Sequence, residues 1–535
     1  MADTGGRGVT SQVPTIVTLL AERAKDHPGK LFLRFREADL SYAAFEERTR
    51  SLAAGLRSHG VRGIVPTLLP NCADAVSLWF AANRAGTVWA PLNTGFRGRG
   101  LAHAINLTGS RNLVVDHTLL DIVLGIGHRL EHVERLFVRD PPGALPGTVS
   151  GGGRSFAALP LEALAIDDDG LPAAVPPSSA EASLLIYTSG TTGASKACEL
   201  SHRYVLVQAA LLSRATQMSR EDVLFCPYPV FHWDATIGTV APALTEGATA
   251  VITERFSVSR FWEDVKRYGV TVFDFMGATL TFLHKRDPAP ADADNPARLG
   301  WGVPMPAFQA DFEARFGLTL MEGYGSTEGG VMVFQEPGVA SPPGSCGRCV
   351  PEYRLRIVDD AGRTLPPGEI GEIVVRPAAD ENRHVMMTRY YGMPDANREA
   401  FRDGWFHTGD LGRVDEEGNL YFEGRRKDAI RRRGENISAF EIEQVVEAHP
   451  AVLEAAAYGV PSEYTEEDVA VAVALKPGCQ LAAADLRDHC RSRMARYMVP
   501  AHVRFLAALP KTPTEKVAKA ALKESHRRIL EEARR

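Results

Sequence analysis

The residues best suited to chemistry form a loop rich in hydroxyl groups and glycines, which ends in a lysine. The loop follows the apolar residues 184–187 and reads Thr188-Ser189-Gly190-Thr191-Thr192-Gly193-Ala194-Ser195-Lys196. Bare glycines let backbone N–H groups approach an anion closely, and the lysine adds a positive charge, so the loop is suited to a polyphosphate. It is not a Walker loop, because only two residues separate Gly190 from Gly193. The same residue types also form polar surface loops, so the stretch alone leaves both interpretations open.

A second candidate joins an apolar strand to a turn with an aromatic ring, hydroxyls and a carboxylate. It reads Met321-Glu322-Gly323-Tyr324-Gly325-Ser326-Thr327-Glu328. An aromatic ring can stack on a purine, and Thr327 and Glu328 offer the hard oxygen ligands that Mg²⁺ prefers. An ordinary turn at the end of a strand has a similar composition.

A third candidate is Asp410, which ends the stretch Gly404-Trp405-Phe406-His407-Thr408-Gly409-Asp410. Its carboxylate is suited to accept hydrogen bonds from two ribose hydroxyls, and Arg425 could hold the same ribose or a phosphate. An aspartate after a glycine is also common in turns.

Three features that contain basic residues also allow both a functional and a structural interpretation. Lys516 ends an extended loop that contains two prolines, Pro510 and Pro513, and such a loop can deliver a lysine to a site or leave it on the surface. The run 425–433 either guides a polyphosphate or solvates a linker. His232 lies among aromatic residues, where a histidine more often belongs to a core.

Bulk composition favours small-molecule chemistry. The chain has 535 residues, 45% of them hydrophobic, and a net charge of -6, which gives no electrostatic reason to expect nucleic acid as a partner. Residues 1–12 lack the pattern of a secretory signal, and no later stretch is apolar enough to span a membrane. We therefore expect a cytoplasmic protein of several domains.

The cysteines predict neither a disulfide scaffold nor a metal centre. Seven are scattered along the chain, and reducing cytosol leaves such residues as small buried hydrophobes. Cys346 and Cys349 form a Cys-x-x-Cys pair, but a zinc site needs two more ligands at suitable spacing.

These candidates are carried by elements of an α/β protein. Helical patterns over residues 42–59 and 73–85 alternate with apolar strands over 31–35 and 87–91, and the alternation resumes after the glycine-rich loop. Residues 141–154 are rich in proline and glycine and are expected to be a surface loop. After Gly325, short strands with glycine turns predict a separate β-rich subdomain, and a small α+β domain follows the basic run.

The order and spacing of these motifs resemble the adenylate-forming enzymes, a superfamily that comprises acyl-CoA synthetases, adenylation domains of peptide synthetases and luciferases. The family's phosphate loop corresponds to residues 187–196 and its Tyr-Gly-x-Thr-Glu motif to residues 324–328. Its Thr-Gly-Asp corresponds to residues 408–410, its Gly-Arg-x-Lys-Asp hinge to 424–428 and its terminal lysine loop to 510–516. Residues 256–286 and 512–516 are most similar to the carnitine/crotonobetaine–CoA ligase branch.

The resemblance implies an N-terminal AMP-binding domain over residues 1–424, a hinge at 425–428 and a mobile C-terminal domain over 429–535. It also implies a first reaction in which a carboxylate attacks the α-phosphorus of MgATP, releasing pyrophosphate and forming an acyl-adenylate. Lys516 would stabilise the charge that builds between the two anions. The implied ATP-binding residues are Thr188, Ser189, Gly190, Thr191, Thr192, Gly193, Lys196, Gly302, Tyr324, Gly325, Ser326, Thr327, Asp410 and Arg425.

In this scheme Glu328 and Thr327 serve Mg²⁺, Tyr324 packs on adenine, and Asp410 and Arg425 hold the ribose. A second reaction transfers the acyl group to the thiol of CoA, after the small domain swings about Lys427. The residues implied near CoA are Arg432, Arg433, Gly434, Glu435 and Asn436, and His232 would gate access.

Two departures from the family pattern bear on the substrate and the loop. The family's Gly-Gly-Ala-Pro loop reads Trp301-Gly302-Val303-Pro304, and a tryptophan lining the acid pocket with His232 would restrict it to small or compact acids. The family's Gly-Val after the loop lysine is replaced by Ala197-Cys198-Glu199, which adds an acid near the phosphate loop.

Three functions remain open at this point. The first is an AMP-forming acid:CoA ligase, acting as a monomer or homodimer. The second is a stand-alone adenylating enzyme that passes the acid to a separate carrier protein, an amine or another nucleophile, or that activates an unusual oxyacid. The third is a non-catalytic nucleotide-binding relative.

Overall fold

The computed structural model of the chain describes residues 14–36, 38–167, 177–188, 195–339, 341–428, 430–432, 435–462, 467–512 and 516–533. Within them a large N-terminal domain of mixed α/β structure precedes a smaller C-terminal domain. No helix in this described part of the chain is long and apolar enough to cross a membrane.

The strands, in chain order, begin with those that precede residue 202: β1 (Leu31–Phe35), β2 (Ala38–Ser41), β3 (Ile64–Leu68), β4 (Val88–Pro91), β5 (Asn112–Asp116), β6 (Arg135–Arg139), β7 (Thr148–Gly151), β8 (Arg154–Pro160), β9 (Ala182–Thr188) and β10 (Lys196–Ser201). The next group is β11 (Val223–Cys226), β12 (Thr249–Ile252), β13 (Val272–Met276), β14 (Leu299–Val303), β15 (Thr319–Ser326) and β16 (Gly330–Phe334). The rest are β17 (Gly347–Cys349), β18 (Tyr353–Val358), β19 (Gly371–Pro377), β20 (Arg389–Tyr390), β21 (Phe401–Arg402), β22 (Trp405–Val414), β23 (Asn419–Arg425), β24 (Ile430–Arg432), β25 (Glu435–Ile437), β26 (Val452–Pro461), β27 (Glu467–Leu475) and β28 (His502–Leu506).

The α-helices are α1 (Ile16–Asp26), α2 (Tyr42–Ser58), α3 (Ala73–Arg84), α4 (Gly98–Leu107), α5 (His117–Gly125), α6 (His202–Thr216), α7 (Trp233–Ala235), α8 (Ala241–Glu246), α9 (Phe261–Tyr268), α10 (Gly277–His284), α11 (Gln309–Phe316), α12 (Pro394–Ala400), α13 (Ala439–Glu447), α14 (Ala483–Arg491) and α15 (Lys519–Ala533). Short 3₁₀ turns occupy Gly127–Arg129, Leu161–Leu164, Asp380–Val385 and Arg426–Asp428, and Thr236–Val240 forms a π-helical turn.

Two large sheets organise the N-terminal domain. One has nine strands in the order β20-β10-β9-β4-β3-β5-β6-β8-β7. The other has fourteen strands along the path β18-β19-β22-β23-β17-β16-β15-β14-β13-β11-β12-β1-β2, with β21 paired to β22. Central strands such as β5 and β13 are buried at every position, as expected of parallel strands that helices cover on both faces.

The predicted β-rich region is present, but it continues the larger sheet. Strand β15 pairs in parallel with β14 on one side and antiparallel with β16 on the other. The motif Tyr324–Glu328 therefore begins at the line where the parallel and antiparallel halves of one sheet meet.

One predicted surface loop, over residues 141–154, is only partly a loop. Residues 141–154 include strand β7, which pairs antiparallel with β8 at the edge of the nine-stranded sheet. Gly152 and Gly153 both have positive φ, so they form the tight turn of a β-hairpin. The glycines that suggested a loop are the turn between two edge strands.

The C-terminal domain has its own core around the sheet β26-β27-β28. Strand β27 alternates valine and alanine, and its valines pack in the cluster that contains residues of α13 and α14. Its alanines pack in the cluster that contains Leu522 of α15. This two-residue period, with helices on both faces, makes the domain a separately packed α+β unit.

Candidate active site

The glycine-rich loop connects two antiparallel strands. Lys196 at the start of β10 is opposite Thr188 at the end of β9, and the register continues through Glu199 and Leu185. The loop's ends are thus held by a strand pair of the nine-stranded sheet. Five of the predicted phosphate-binding residues lie outside the described residues: Ser189, Gly190, Thr191, Thr192 and Gly193.

Lys196 and Glu328 meet at Tyr390. The Lys196 ammonium lies 4.7 Å from the centroid of the Tyr390 ring, and the Tyr390 hydroxyl donates to Glu328 Oε1 at 2.9 Å. Burial raises the pKa of Tyr390, and the negative charge of Glu328 adds to this effect, so the phenol keeps its proton and acts as a donor. The structure therefore brings together the loop lysine and the predicted Mg²⁺ carboxylate.

The Ala197-Cys198-Glu199 departure turns its acid away from the loop. Glu199 lies opposite Arg389 of β20, and the two side chains form an ion pair at 3.1 Å. Cys198 is fully buried, and burial together with the nearby Glu328 charge raises the pKa of its thiol. Cys198 is thus a buried neutral thiol, and the Glu199 charge is balanced by Arg389.

Tyr324, Asp410 and Arg425 converge from three strands. The Tyr324 hydroxyl donates to Asp410 Oδ2 at 2.9 Å, and Arg425 Nε lies 3.6 Å from Asp410 Oδ1. The Tyr324 ring lies 6.0 Å from that of Phe422. Burial and the Asp410 carboxylate both raise the pKa of Tyr324, so its hydroxyl remains a donor.

Two predicted glycines allow close backbone packing. A β-carbon on Gly302 would lie 1.8 Å from the Phe275 carbonyl oxygen, and one on Gly325 would lie 2.3 Å from the Gly330 carbonyl oxygen. No larger residue fits at either position without a backbone shift. Val303, predicted to line the acid pocket, ends β14 with 44% of its surface exposed.

The turn after Tyr324 is held by buried polar contacts. Ser326 Oγ accepts a hydrogen bond from the Gly329 amide at 3.1 Å, and the Thr327 carbonyl accepts one from Tyr204 at 2.8 Å. The Tyr204 hydroxyl in turn accepts one from Trp233 Nε1 at 3.0 Å. This chain of bonds connects the turn to α7, the helix that follows His232.

His232 pairs with a carboxylate. Its Nδ1 lies 2.8 Å from Asp234 Oδ2. Burial works to raise the pKa of Asp234, but the His232 charge and hydrogen bond outweigh burial and hold that pKa below its ordinary value. Asp234 is therefore ionised and orients the imidazole.

A second carboxylate lies behind this pair. Asp274 in the centre of β13 is only 3% exposed, and the Cys226 thiol lies 3.6 Å from its Oδ2. Burial and the neighbouring Asp234 charge raise the pKa of Asp274 well above its ordinary value. The pKa values of these two neighbouring carboxyl groups are thus shifted in opposite directions, that of Asp234 down and that of Asp274 up.

Trp301 packs against backbone at a glycine, Gly238. It is opposite Asp274 on the neighbouring strand, so both side chains lie on the same face of the sheet. A β-carbon on Gly238, in the π-helical turn, would lie 2.9 Å from the Trp301 ring and 3.2 Å from the Trp233 ring. Both indoles thus pack against Gly238.

Lys516 faces this assembly from the C-terminal domain. The residue is exposed, yet it lies close enough to Arg425 and to three carboxyl groups for their charges to act on its ammonium. Desolvation by the neighbouring protein and the Arg425 charge lower the pKa of this ammonium, while Asp234, Asp410 and Asp274 oppose that fall. The loop is closed by backbone hydrogen bonding from Thr512 to the Lys516 carbonyl at 2.7 Å.

The predicted hinge and CoA residues are less fully described. Lys427 lies in the 3₁₀ turn Arg426–Asp428, and its side chain lies outside the described part. Arg432 is engaged inside the C-terminal domain, where it donates to the Tyr497 carbonyl at 2.7 Å and pairs with Asp468 at 3.2 Å. Arg433 and Gly434 lie outside the described residues, and Glu435 and Asn436 are described only as backbone of β25.

Sequence reasoning missed Asp234, Asp274 and Tyr390. Asp274 had a signal, since it is the one charged residue of an otherwise apolar buried strand, Val272–Met276. Asp234 lies two residues after His232, a spacing that also suits a local turn. Tyr390 had no local signal, because it reaches Glu328 only through the pairing of β20 with β10.

Cys346 and Cys349 are both free cysteines in the structure. Burial raises the pKa of both thiols, which leaves them protonated. Cys346 is buried and Cys349 is partly buried.

Comparison with known proteins gives the family. The pattern of the AMP-binding enzyme family matches residues 20–391, and that of the AMP-binding enzyme C-terminal domain matches residues 441–516. A sulfoacetate–CoA ligase from Cupriavidus necator is 35% identical over 368 residues, which cover 68% of this chain and 70% of that protein. A crotonobetaine/carnitine–CoA ligase from Salmonella paratyphi A is 29% identical over 497 residues, which cover 90% of this chain and 93% of that protein.

The fold is also that of a solved structure. The anthranilate–CoA ligase AuaEII, in complex with anthranoyl-AMP, superimposes with a TM-score of 0.85 at 24% identity, covering 96% of this chain and 97% of that chain. The chain therefore belongs to the AMP-binding enzyme family and is an adenylate-forming enzyme of the acyl-CoA synthetase type.

Proposed function

We propose that this protein uses ATP to activate a small or compact carboxylic acid and then transfers the acyl group to the thiol of CoA. The observation that carries the proposal is the cluster of Tyr324, Asp410 and Arg425, which Lys516 of the C-terminal domain approaches closely enough for its charge to act on it. From this cluster we infer a nucleotide site next to an acid site, with the positive charge of Lys516 between them. The acids named for relatives include sulfoacetate and crotonobetaine, which are small, and also a steroid acid, so the proposed size limit rests on Trp301.

In the first step a carboxylate oxygen attacks the α-phosphorus, and the bond to the pyrophosphate oxygen breaks. Lys516 supplies positive charge where two anions approach each other, at the point where charge builds in the transition state. Lys196 and the loop it ends hold the departing phosphates. Asp410 accepts hydrogen bonds from the ribose, with Arg425 beside it, and Tyr324 packs on adenine.

Glu328 and Thr327 are the residues that would hold Mg²⁺. The carboxylate and hydroxyl are hard oxygen donors, the type that Mg²⁺ prefers, and Mg²⁺ is commonly bound by one or two carboxylates together with substrate phosphates. When bound, the ion neutralises charge on the phosphates of ATP. Tyr390 fixes the Glu328 carboxylate by donating to it at 2.9 Å.

In the second step the sulfur of CoA, having lost its proton, attacks the acyl carbonyl and AMP leaves. We propose that the C-terminal domain, over residues 429–535, turns about the hinge at 425–428 so that Lys516 clears the path of the thiol. His232, held by Asp234, gates that path. Arg432 would have to leave Asp468 to meet a CoA phosphate, so it is the weakest of the proposed CoA contacts.

The compact pocket follows from Trp301. Its ring packs against Gly238 and beside Trp233, and we infer that it leaves little room for a long acyl chain. We therefore place the acid between Trp301 and His232, with its carboxylate towards Lys516. A cytoplasmic location and a monomeric or homodimeric state complete the proposal.

The test is pyrophosphate release from ATP and Mg²⁺ with sulfoacetate, crotonobetaine, an aromatic acid and palmitate, each with and without CoA. We expect release with at least one compact acid, a thioester only when CoA is present, and no release with palmitate. Acid-dependent release without any thioester would favour transfer to a carrier protein or an amine. Absence of release with every acid would favour a non-catalytic relative.

A further inference from the structure

Lys285 makes a contact that joins the two domains. It follows α10 of the N-terminal domain, and its Nζ donates to the Val452 carbonyl at 2.8 Å and also to the Leu453 carbonyl. Both acceptors lie in β26 of the C-terminal domain. One ammonium group of the N-terminal domain thus binds two successive carbonyls of the C-terminal domain.

The strand is shaped to receive this lysine. The pairing of β26 with β27 shifts register between Val452 and Glu454, so Leu453 is the extra residue of a β-bulge. A bulge interrupts the regular hydrogen-bond ladder and turns backbone groups out of it. The two carbonyls that meet Lys285 lie at this irregular point.

The same face of α10 makes a second contact. Phe282 lies three residues before Lys285, a spacing that places both on one side of a helix. The Lys511 ammonium lies 5.5 Å from the centroid of the Phe282 ring. Lys511 is bridged to Val517 and paired with Glu454, so it is part of the loop that carries Lys516.

We propose that Lys285 is a positioning residue for acyl-adenylate formation, and that with Phe282 it forms an interdomain clamp. The clamp holds β26 and the Lys516 loop against the N-terminal domain in the arrangement described above. Because the thiol step needs Lys516 to move away, the clamp must open before that step. This inference rests on the proposed two-step function.

The surroundings keep Lys285 able to donate. Burial lowers its pKa to about 8, Glu447 and Glu454 oppose that fall, and Lys476 adds to it. His284 lies close enough for the Lys285 charge to act on it. At pH 7 the side chain is therefore still mostly protonated and has three N–H donors.

The clamp is tested with Lys285→Ala, Lys285→Arg and Phe282→Leu in the full chain. As a matched control we choose Lys266→Ala, a surface lysine of α9 that pairs with Asp294 within the same domain. Each variant is assayed for pyrophosphate release with the most active compact acid of the panel, and separately for thioester formation from the matching synthetic acyl-adenylate and CoA.

We expect Lys285→Ala to slow pyrophosphate release about tenfold. Each hydrogen bond to a charged group contributes enough free energy to shift the equilibrium between the two domain arrangements by that factor. Thioester formation should stay within about twofold of the wild type. Lys285→Arg should restore most of the loss, Phe282→Leu should show a smaller defect of the same kind, and Lys266→Ala should leave both steps unchanged. Equal loss in both steps, or no loss in either, would overturn the clamp.

Hydrogen–deuterium exchange of the same proteins tests the clamp without any acid. Lys285→Ala should raise exchange in residues 277–285 and 452–461, and unchanged exchange there would also overturn it. If the wild type releases no pyrophosphate with any acid, the proposed function fails, while the exchange comparison still decides the clamp.

Discussion

The Tyr324 hydroxyl donates to the Asp410 carboxylate at 2.9 Å across 86 positions of sequence. The bond ties the end of β15 to β22, and it leaves Asp410 oriented by protein before any nucleotide arrives. Tyr324 thus has a part beyond an aromatic surface, because it fixes the carboxylate that we assign to the ribose.

This relationship predicts the effect of removing one oxygen atom. Tyr324→Phe should raise the KM for ATP about fivefold with little change in kcat, because a hydrogen bond of about 1 kcal/mol that orients Asp410 is lost. Tyr421→Phe is the matched control, since its hydroxyl donates to Asp415 at 3.1 Å on a part of the strand pair away from Asp410. Steady-state kinetics with varied ATP would contradict the assignment if both variants behaved alike.

Tyr390 should govern the response to Mg²⁺. Without its hydroxyl, the Glu328 carboxylate loses the donor that fixes it at 2.9 Å. Tyr390→Phe should therefore increase the Mg²⁺ concentration needed for half-maximal pyrophosphate release several-fold at saturating ATP. An unchanged Mg²⁺ response would remove Glu328 from the proposed metal site.

Trp301 should set the length of the acid. Trp301→Gly removes the ring that packs beside Gly238 and Trp233, and so opens the pocket. We expect the variant to release pyrophosphate with medium-chain acids that the wild type rejects. Gly238→Ala should have the opposite effect on the pocket, because its methyl group would lie 2.9 Å from the Trp301 ring and crowd the space there. A wild-type range of acids in Trp301→Gly would contradict the pocket assignment.

The burial of His202 predicts that the folded protein loses stability in acid. It begins α6 fully buried, and neither ring nitrogen has a hydrogen-bond partner among the described residues. Burial lowers its pKa to about 4. In the unfolded chain the His202 imidazole takes up a proton near pH 6.5, well above the pH at which it does so in the folded chain. The contribution of neutral His202 to folding stability is therefore complete above pH 6.5 and is lost as pH falls towards 4.

The loss at His202 should reach about 3 kcal/mol by pH 4, from the difference between the two pKa values. Denaturant unfolding at pH 7 and pH 4.5 should show a smaller acid effect in His202→Phe than in the wild type. His132→Phe, at an exposed position, should keep the wild-type dependence. The same acid effect in all three proteins would show that His202 does not cause it.

Much of this site could be predicted from sequence, because adenylate-forming motifs are short and contiguous. Tyr324, Asp410 and Lys516 were predicted from such motifs. The strand over residues 31–35 has the predicted bounds, and the helices predicted over 42–59 and 73–85 each end one residue earlier. Local periodicity is enough for elements whose burial repeats every two or every three to four residues.

The parts that sequence did not predict depend on contacts between distant segments. Tyr390 meets Glu328 through strand pairing, and Lys285 meets β26 only once the two domains are in contact. Strand β7 fell within a predicted surface loop over residues 141–154, because the prolines and hairpin glycines of that segment are also typical of loops. Glu199 looked like an acid beside the phosphates, but alternation along β10 directs it to Arg389.

We propose that Lys516, on a mobile domain, serves only the first of the two reactions. The most direct test of this proposal compares Lys516→Ala with the wild type in both half-reactions, using the best compact acid for pyrophosphate release and its synthetic acyl-adenylate for thioester formation. We predict at least a hundredfold loss of pyrophosphate release, because Lys516 acts where charge builds in the transition state, with thioester formation retained. Loss of both half-reactions together, or retention of both, would contradict the account.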